Sequence, residues 1–398
     1  MILHVACLPF PSHQGTQAAI AAMLGASAQN GRPAHLLVYA HGAYALDAPY
    51  EIHRIGDFPR VRSLRSGPSW AKIALDARCI AETRKLARRL RPQAIIAHHV
   101  EAALAALAAD VGPVYYIAHT SLSAELPIYF PRLPTWPLSA TGGALERYVC
   151  RRAERVAAVA PSLAAILGSD TVYLPVPWAR QSPGPARNVA RAALSLPRDV
   201  PVCLYAGNLD RYQGWETLIE AIAELRQTEP GARLLVATES DPAPARRDAA
   251  GRGVAEALEI RRLDSERARA LVHGASDVAW IPRRTQGGLP IKMLDVFARG
   301  VPVIAMERAT AGLPVERACH VVPDQDAHAL RRATEALLGE PKAREALRAE
   351  AFRYLASHHS TSAYVTALRA LLDSQAITPR EATPHAPRRR AERGFQAR

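Results

Sequence analysis

Short apolar runs alternate along this chain with longer stretches in which apolar residues recur every three or four positions. In residues 1–180 the runs predict strands over 2–8, 34–39, 93–97, 113–118, 156–160 and 171–174. The intervening spacing predicts helices over 15–29, 71–91, 100–109, 143–153 and 161–168. Val-, Ile- and Leu-rich runs alternating with helices imply βαβ units and a parallel sheet, an α/β fold. The stretch Leu174-Pro175-Val176-Pro177-Trp178, then Ser182-Pro183-Gly184-Pro185, interrupts this rhythm as a proline-rich linker does. The alternation then restarts, with strands expected over 201–206, 233–237, 257–261, 278–281 and 302–305. Helices are expected there over 214–227, 264–274 and 291–299. Residues 341–373 read as helix, with a break and a new N-cap at His358-His359-Ser360-Thr361.

The organisation that follows is two Rossmann-like domains, 1–178 and 179–355, with a helix over 356–375 crossing back to the first. Residues 376–398 are Pro, Arg and Ala with almost no large apolar side chain, and read as a disordered basic tail. Two such sheets place two sets of strand C-terminal ends around one cleft, where ligands of parallel sheets bind.

Composition narrows the function class. The 398 residues are 49% hydrophobic and 22% charged, an ordinary globular balance with room for two cores. No apolar run approaches the ~18 residues of a membrane span. The start, Met1 to Cys7, is too short and too uncharged for a signal peptide and reads as a buried strand. Five scattered cysteines (Cys7, Cys79, Cys150, Cys203, Cys319) without a CxxC fit reduced thiols in a cytoplasm. The net charge of +13 is uneven. Residues 1–180 hold 18 Lys and Arg against 11 Asp and Glu, and the tail 374–398 holds six Arg against two Glu. Such a surface attracts anions, whether acidic lipid, phosphorylated acceptors or nucleic acid. Arginine enrichment from a GC-rich coding bias explains it equally well.

Two stretches of the second half carry chemistry. In Tyr205-Ala206-Gly207-Asn208-Leu209-Asp210-Arg211-Tyr212-Gln213-Gly214-Trp215 a strand ends, turns, and yields to a helix. Glycines there let backbone amides approach a ligand, and a helix N-terminus suits phosphate. A tight βα turn without a ligand would look the same. The second stretch runs from Arg283-Arg284-Thr285-Gln286-Gly287-Gly288-Leu289-Pro290 through Lys292 and Asp295 to Arg299-Gly300-Val301-Pro302. A glycine loop opens a helix, basic residues flank it, and Asp295 sits one turn inside. Its carboxylate can accept from two vicinal hydroxyls, as on a ribose. The loop amides with Lys292 or Arg284 can meet a diphosphate.

These two stretches resemble the donor domain of glycosyltransferase family 4, with the GT-B fold, and the likeness spans about residues 1–373. It implies retaining transfer of a sugar from a nucleoside-diphosphate donor. It also implies donor contacts at Gly207, Asn208, Arg211, Gln213, Arg262, Leu263, Arg284, Gln286, Gly287, Gly288, Leu289, Pro290, Lys292 and Asp295. Two departures stand out. The family signature has carboxylates eight residues apart; Asp295 fits the second, and the first position falls on Gly287, leaving Gln286 or Thr285 to supply that contact. The Arg and Lys usual in the first stretch fall on Asn208 and Gln213, leaving Arg211, Arg284 and Lys292 as candidate replacements. Base contacts in such folds are largely to backbone, here near Arg262 and Leu263.

The first half adds three pieces. Pro9-Phe10-Pro11-Ser12-His13-Gln14-Gly15-Thr16-Gln17 resembles the family's glycine loop, implying a catalytic position at Gly15 and acceptor-side contacts at Thr16 and Gln17. His98 and His99 end one strand, and His119 follows another. A histidine just past a parallel strand sits where ligands sit and can hydrogen-bond or move a proton. The resemblance implies that His119 faces the reacting sugar and that His98 or His99 lies near the acceptor. His358 and His359 read as a helix break without a role. The apolar, proline-rich stretch Leu122–Thr141, with Trp136, reads as a loop for a lipid surface, an acceptor pocket or domain packing.

The expected partners are thus a nucleotide sugar, UDP- or GDP-linked, a glycan or lipid acceptor, and an anionic membrane surface on the cytoplasmic side. No metal site is expected, since there is no DxD and no ligand spacing in the sequence. Rival readings are a transferase-like protein that keeps its donor site without turnover, and a polyanion-binding protein. A nicotinamide enzyme is disfavoured by the absence of G-x-G-x-x-G in either first βα turn, and nucleic-acid binding by the lack of any recognised module.

Overall fold

The computed structural model describes residues 1–12, 14–56, 67, 70–182, 184–285 and 288–373, so the tail over 376–398 lies outside it. The first sheet holds β1 (Ile2–Ala6), β2 (Ala34–Val38), β3 (Glu51–Arg54), β4 (Ala94–His98), β5 (Val114–Ala118), β6 (Arg155–Ala158) and β7 (Val172–Tyr173). Its helices are α1 (Gly15–Gln29), α2 (Trp70–Leu90), α3 (His99–Ala109), α4 (Leu122–Tyr129), α5 (Thr135–Arg152) and α6 (Pro161–Leu167). After α7 (Arg187–Ala193) the second sheet follows, with β8 (Val202–Ala206), β9 (Arg233–Ala237), β10 (Leu258–Arg261), β11 (Val278–Ile281), β12 (Val303–Met306) and β13 (His320–Val322). Its helices are α8 (Glu216–Thr228), α9 (Ala243–Gly251), α10 (Glu266–Ala275), α11 (Ile291–Ala298), α12 (Glu307–Thr310) and α13 (Ala327–Gly339). Two further helices, α14 (Pro341–His358) and α15 (Thr361–Leu372), end the described chain.

Strand order is β3-β2-β1-β4-β5-β6-β7 in one sheet and β10-β9-β8-β11-β12-β13 in the other, all pairs parallel. Strands β1, β4, β5 and β8 are buried at every position, as central strands covered on both faces must be. Successive connections diverge between β1 and β4, and again between β8 and β11. Loops leaving those strand ends part to opposite faces and open a crevice. Each domain thus offers one switch point, and both contribute to a common cleft.

Several elements differ from the sequence pattern. The edge strand β3 has one large apolar residue in Glu51-Ile52-His53-Arg54, too little for an alternation to register. Residues 122–141 form α4 and the first part of α5 instead of a loop. Pro137 stands in the first turn of α5, where a missing N–H leaves no intrahelical bond unmade. Among the described residues no helix is long and apolar enough to cross a membrane.

The domains are joined twice, at the linker and at the C-terminal helices. Helix α14 packs on α11 of the second domain, while α15 lies against α1, β6 and β7 of the first. Ser360 caps α15 by accepting from the Ala363 amide at 3.2 Å. Both crossings meet at His359, which is wholly buried. Its Nδ1 donates to the Val176 carbonyl at 2.7 Å, its Nε2 accepts from the Tyr354 hydroxyl at 3.2 Å, and its own carbonyl accepts from the Trp178 amide at 2.7 Å. Burial pushes the ring down to about 4, so it is neutral in the fold. A second anchor is Arg191, also fully buried. It donates to the carbonyls of Ala275, Arg198 and Val200 and pairs with Asp277 at 2.7 Å, pinning α7 to the start of β8.

His359→Ala should cost about 2 kcal/mol at pH 7, two buried hydrogen bonds being lost. The unfolded ring titrates near 6.5 and the folded ring near 4, so between those values the unfolded chain binds the extra proton. Stability drawn from this ring is therefore present above 6.5 and lost as the pH falls towards 4. Urea unfolding at stepped pH should show the deficit of the variant narrowing on acidification.

Candidate active site

The cleft between the sheets encloses about 1030 Å³, at the upper end of ligand-pocket sizes. Its first-domain wall is the loop after β1, the ends of β4 and β5, and α4. Its second-domain wall is the turn after β8, the loops after β9 to β11, and the first turns of α11.

Four cations stand on the second-domain wall, Arg269 and Arg299 beside Asp295, and Lys292 and Arg283 nearer the strand ends. Lys292, on the first turn of α11, donates to Gln213 Oε1 at 2.5 Å and to the Tyr205 hydroxyl at 3.3 Å, with its ammonium 4.5 Å from the Tyr205 ring centre. A side chain on Gly207 would come within 3.5 Å of Lys292 Nζ, so the ammonium lies against the end of β8. Arg283 is buried and also lines the cleft. Burial lowers both groups, and Arg283 adds to the depression of Lys292, which is held well below its ordinary range. Both thus stand where a dianion would relieve an unfavourable charge.

Asp295 lines the cleft one turn further along α11. Arg299 Nε (3.3 Å) and Arg269 (3.6 Å) pair with its carboxylate, and the buried His273 ring lies 3.7 Å away. The loop ahead of α11 makes the tightest crossing of the cleft. Gly288 has a φ of +81°, and a Cβ there would stand 2.5 Å from the His119 carbonyl oxygen, 3.2 Å from Thr120 Cγ2 and 3.4 Å from an Arg283 nitrogen. Only glycine permits that approach. Gly15 is close-set too, its Cβ position lying 3.4 Å from Ile291 Cβ.

Histidines form the opposite wall. His4 Nδ1 lies 3.0 Å from His98 Nε2, and His98 Nδ1 lies 3.0 Å from His119 Nε2. His99 takes a left-handed φ of +69°, stacks on His119 at 4.9 Å, and approaches Thr16 Oγ1 at 3.3 Å. Such a backbone angle outside glycine stores strain and marks functional turns. Burial holds the rings of His98 and His119 well below their usual range, with neighbouring imidazoles adding to it. They stand as neutral hydrogen-bonding groups near pH 7.

Of the residues expected from the sequence, Gly15, Thr16, Gln17, His98, His99, His119, Gly207, Asn208, Gln213, Leu263, Leu289, Pro290, Lys292 and Asp295 line the cleft. Gly288 abuts three of the lining residues, His119, Thr120 and Arg283. Gln286 and Gly287 lie outside the described residues. Arg211, Arg262 and Arg284 are not brought to the cleft. Arg211 is exposed, Arg262 pairs with Glu239 at 2.6 Å, and Arg284 turns to Glu216 at 3.3 Å. The Leu263 amide, expected near a base, is already donated to Glu239 at 2.8 Å. His98 has both ring nitrogens engaged and none to offer an acceptor. Of the three candidate cations for this wall, Lys292 is the one brought to position 213, where its ammonium donates to Gln213 Oε1.

Two groups escaped the sequence reading. Arg283 and Arg284 look alike in sequence, and only the direction of the chain leaving β11 tells which points inward. Glu125, on α4, lines the cleft facing Arg283, in a stretch that reads as apolar. Burial pushes its carboxyl up to about 7, against the pull of Arg283 and a hydrogen bond from Thr120. Outside the cleft, His35, Glu51 and His53 gather on β2 and β3 with ligand atoms within 4.8 Å. The two ring nitrogens face each other at 2.9 Å with centroids 5.2 Å apart, so the lone-pair axes are nearly collinear. The Glu51 carboxylate lies 3.2 and 3.5 Å from the same two nitrogens.

Comparison with known proteins follows the same division. Residues 15–175 match the family model described as Glycosyltransferase Family 4, and residues 200–340 match the model described as Glycosyl transferases group 1. The D-inositol 3-phosphate glycosyltransferase of Segniliparus rotundus is 29% identical over 131 residues, 32% of this chain and 28% of that protein. The chain therefore aligns with under a third of that relative's length. Sucrose-phosphate synthase from Thermosynechococcus elongatus superposes with a TM-score of 0.75 at 18% identity, covering 93% of this chain and 98% of the other. The Anabaena protein HepE, in complex with UDP-glucose, superposes with a TM-score of 0.73 at 13% identity over 93% and 98%. At those identities the likeness is one of fold, and the fold is GT-B.

Glu125→Gln should remove a pH dependence of stability. The folded carboxyl titrates near 7 and the unfolded one near 4.5, so the native chain holds the extra proton between them. Stability from this group is full below 4.5 and lost as the pH rises through 7. Thermal or urea unfolding should find the variant matched to the parent at pH 4 and more stable by about 3 kcal/mol at pH 8.

Proposed function

Because the chain belongs to glycosyltransferase family 4, we propose that this enzyme moves a sugar, with retention at the anomeric carbon, from a nucleoside-diphosphate sugar to a glycan or lipid-linked acceptor. The observation that carries this reading is the pair Lys292 and Arg283, two buried cations converging between the ends of β8 and β11 with Asp295 one helical turn away. A diphosphate between them relieves both desolvated charges, and its charge grows as the sugar departs. Interactions that strengthen in that way lower the barrier. The amides around Gly207 and the loop at Gly288 add donors to the phosphate oxygens. Asp295, held by Arg299 and Arg269, accepts from the vicinal ribose hydroxyls. The donor sugar then lies towards His119 and Gly15, in an oxocarbenium-like transition state. The acceptor enters past Thr16, Gln17 and Glu125. UDP in the solved HepE complex supports a uridine donor.

A binding and turnover screen with UDP-, GDP- and ADP-sugars tests the reading by release of nucleoside diphosphate. One donor should be consumed. Lys292→Met should weaken binding of its nucleoside diphosphate by about tenfold or more while sparing the nucleoside. Asp295→Ala should weaken the ribonucleotide and leave a dideoxyribose analogue unchanged, and equal losses for both would remove Asp295 from the ribose role. Nucleotide binding without turnover of any sugar, with acceptor mixtures present, would favour the inactive relative.

The corner between α4 and α5 supports a membrane-side acceptor. Trp136 is 76% and Leu133 54% exposed there, side chains suited to a lipid interface. Flotation with anionic vesicles at low salt should recover the protein, and Trp136→Ser should reduce recovery severalfold. Absence of the parent protein from the vesicle fraction rejects this contact.

A further inference from the structure

The strand β1 is Ile2-Leu3-His4-Val5-Ala6, and every one of its residues is buried. A histidine at the centre of a buried parallel strand is costly unless its nitrogens are used. His4 Nδ1 is used, at 3.0 Å from His98 Nε2, and His4 Nε2 is buried without a partner among the described residues. The line continues from His98 Nδ1 to His119 Nε2 at 3.0 Å. Ring centroids stand 5.3 and 5.2 Å apart, so the nitrogens meet nearly head-on at both joints. Three imidazoles thus form a line from the core of the first sheet to the cleft wall, ending at His119.

Each neutral ring carries one N–H and one lone pair, so the line must run in one direction. If His119 donated towards the core, His98 would donate to His4, and His4 would bury an N–H at Nε2 without an acceptor. In the other direction His4 donates to His98, His98 donates to His119, and the orphan is a lone pair. Buried orphan donors are the rarer and costlier kind. The second direction leaves His119 with its proton on Nδ1, the nitrogen outside the line, on a ring that lines the cleft.

We propose that His4 and His98 are positioning residues that lock His119 in the Nδ1–H tautomer, so that His119 acts as a fixed hydrogen-bond donor to an oxygen of the transferred sugar. This rests on the sugar-transfer reading for the identity of the ligand, but the tautomer does not. His119 is then a catalytic residue by donation and orientation, with no proton leaving it during the reaction. Its stack on His99, itself bonded to Thr16, fixes the ring from the second side. A free imidazole favours the proton on Nε2, so Nδ1–H at His119 is a distinctive state.

The test is nitrogen–proton correlation on the full chain labelled with ¹⁵N-histidine, with His119 assigned by loss of its signals in His119→Ala. The expected pattern is a neutral ring at pH 7 with protonated Nδ1 and bare Nε2, and the same for His98. Protonated Nε2 or an imidazolium at His119 overturns the proposal. That reading needs no donor, so it stands or falls separately from sugar transfer. Once a donor is known, His98→Leu should lower kcat about tenfold with donor KM within about twofold, because the missing bond orients a group that acts on the transition state. His98→Asn, whose amide nitrogen falls close to the place of Nδ1, should restore most of the rate and the Nδ1–H signal at His119. A His98→Leu rate within about twofold of the parent, or a rate loss in His98→Asn matching that in His98→Leu, overturns the positioning role.

Discussion

The cleft depends on one backbone contact, the approach of Gly288 to the carbonyl of His119. A Cβ at 2.5 Å from that oxygen is impossible, so any other residue would push the loop ahead of α11 away from the end of β5. Thr120 and Arg283 crowd the same point, and Gly15 meets Ile291 close by. A displacement there would separate the two switch points. The cations of one domain and the histidines of the other would then no longer face a common volume. The glycine matters because the parallel sheets end at this line, and loops at strand ends are the only parts of such sheets free to carry function.

Buried charge is used in two opposite ways in this molecule. Arg191 is sealed from water, but its guanidinium reaches several carbonyls and the carboxylate of Asp277. Its needs are met inside the protein, and its effect is to hold α7 at the root of the second sheet. Among the described residues Lys292 donates only to neutral oxygens, of Gln213 and Tyr205, and burial, with Arg283 adding to it, presses its proton affinity down. A charge left under-compensated in a cleft is a cost to the fold, and it is recovered only when an anion arrives. The contrast separates a cation whose needs the fold meets from one that the proposed donor would meet, more clearly than burial, which the two share.

Much of this architecture is legible in the sequence because parallel sheets write their period plainly. The runs at 34–39, 233–237 and 278–281 and the helix at 15–29 correspond closely to observed elements. The edge strand β3 escaped because an edge needs little apolar surface, and α4 because Pro127 and its neighbours argue locally against a helix that packing on α5 supports. In the site, the glycine loop and Asp295 are legible because spacing along one helix turn is a one-dimensional signal. Arg283 over Arg284 is not, since it depends on which way a strand end faces. The histidine line is not either, because positions 4, 98 and 119 become neighbours only through the order β1-β4-β5.

That strand order also explains why the two walls of the cleft differ in kind. In the second domain, the helix that follows the switch point brings charged side chains to the strand ends. In the first domain the corresponding positions are filled from inside the sheet by imidazoles that burial keeps neutral. In the proposed transfer a leaving diphosphate gains charge, so it would belong against the cations. A sugar approaching an oxocarbenium state gains positive character, so a second cation beside it would oppose the reaction. Neutral donors such as His119 can fix its hydroxyls without that penalty. On the first-domain wall it is the histidines, kept neutral by burial, that can face that centre without opposing it.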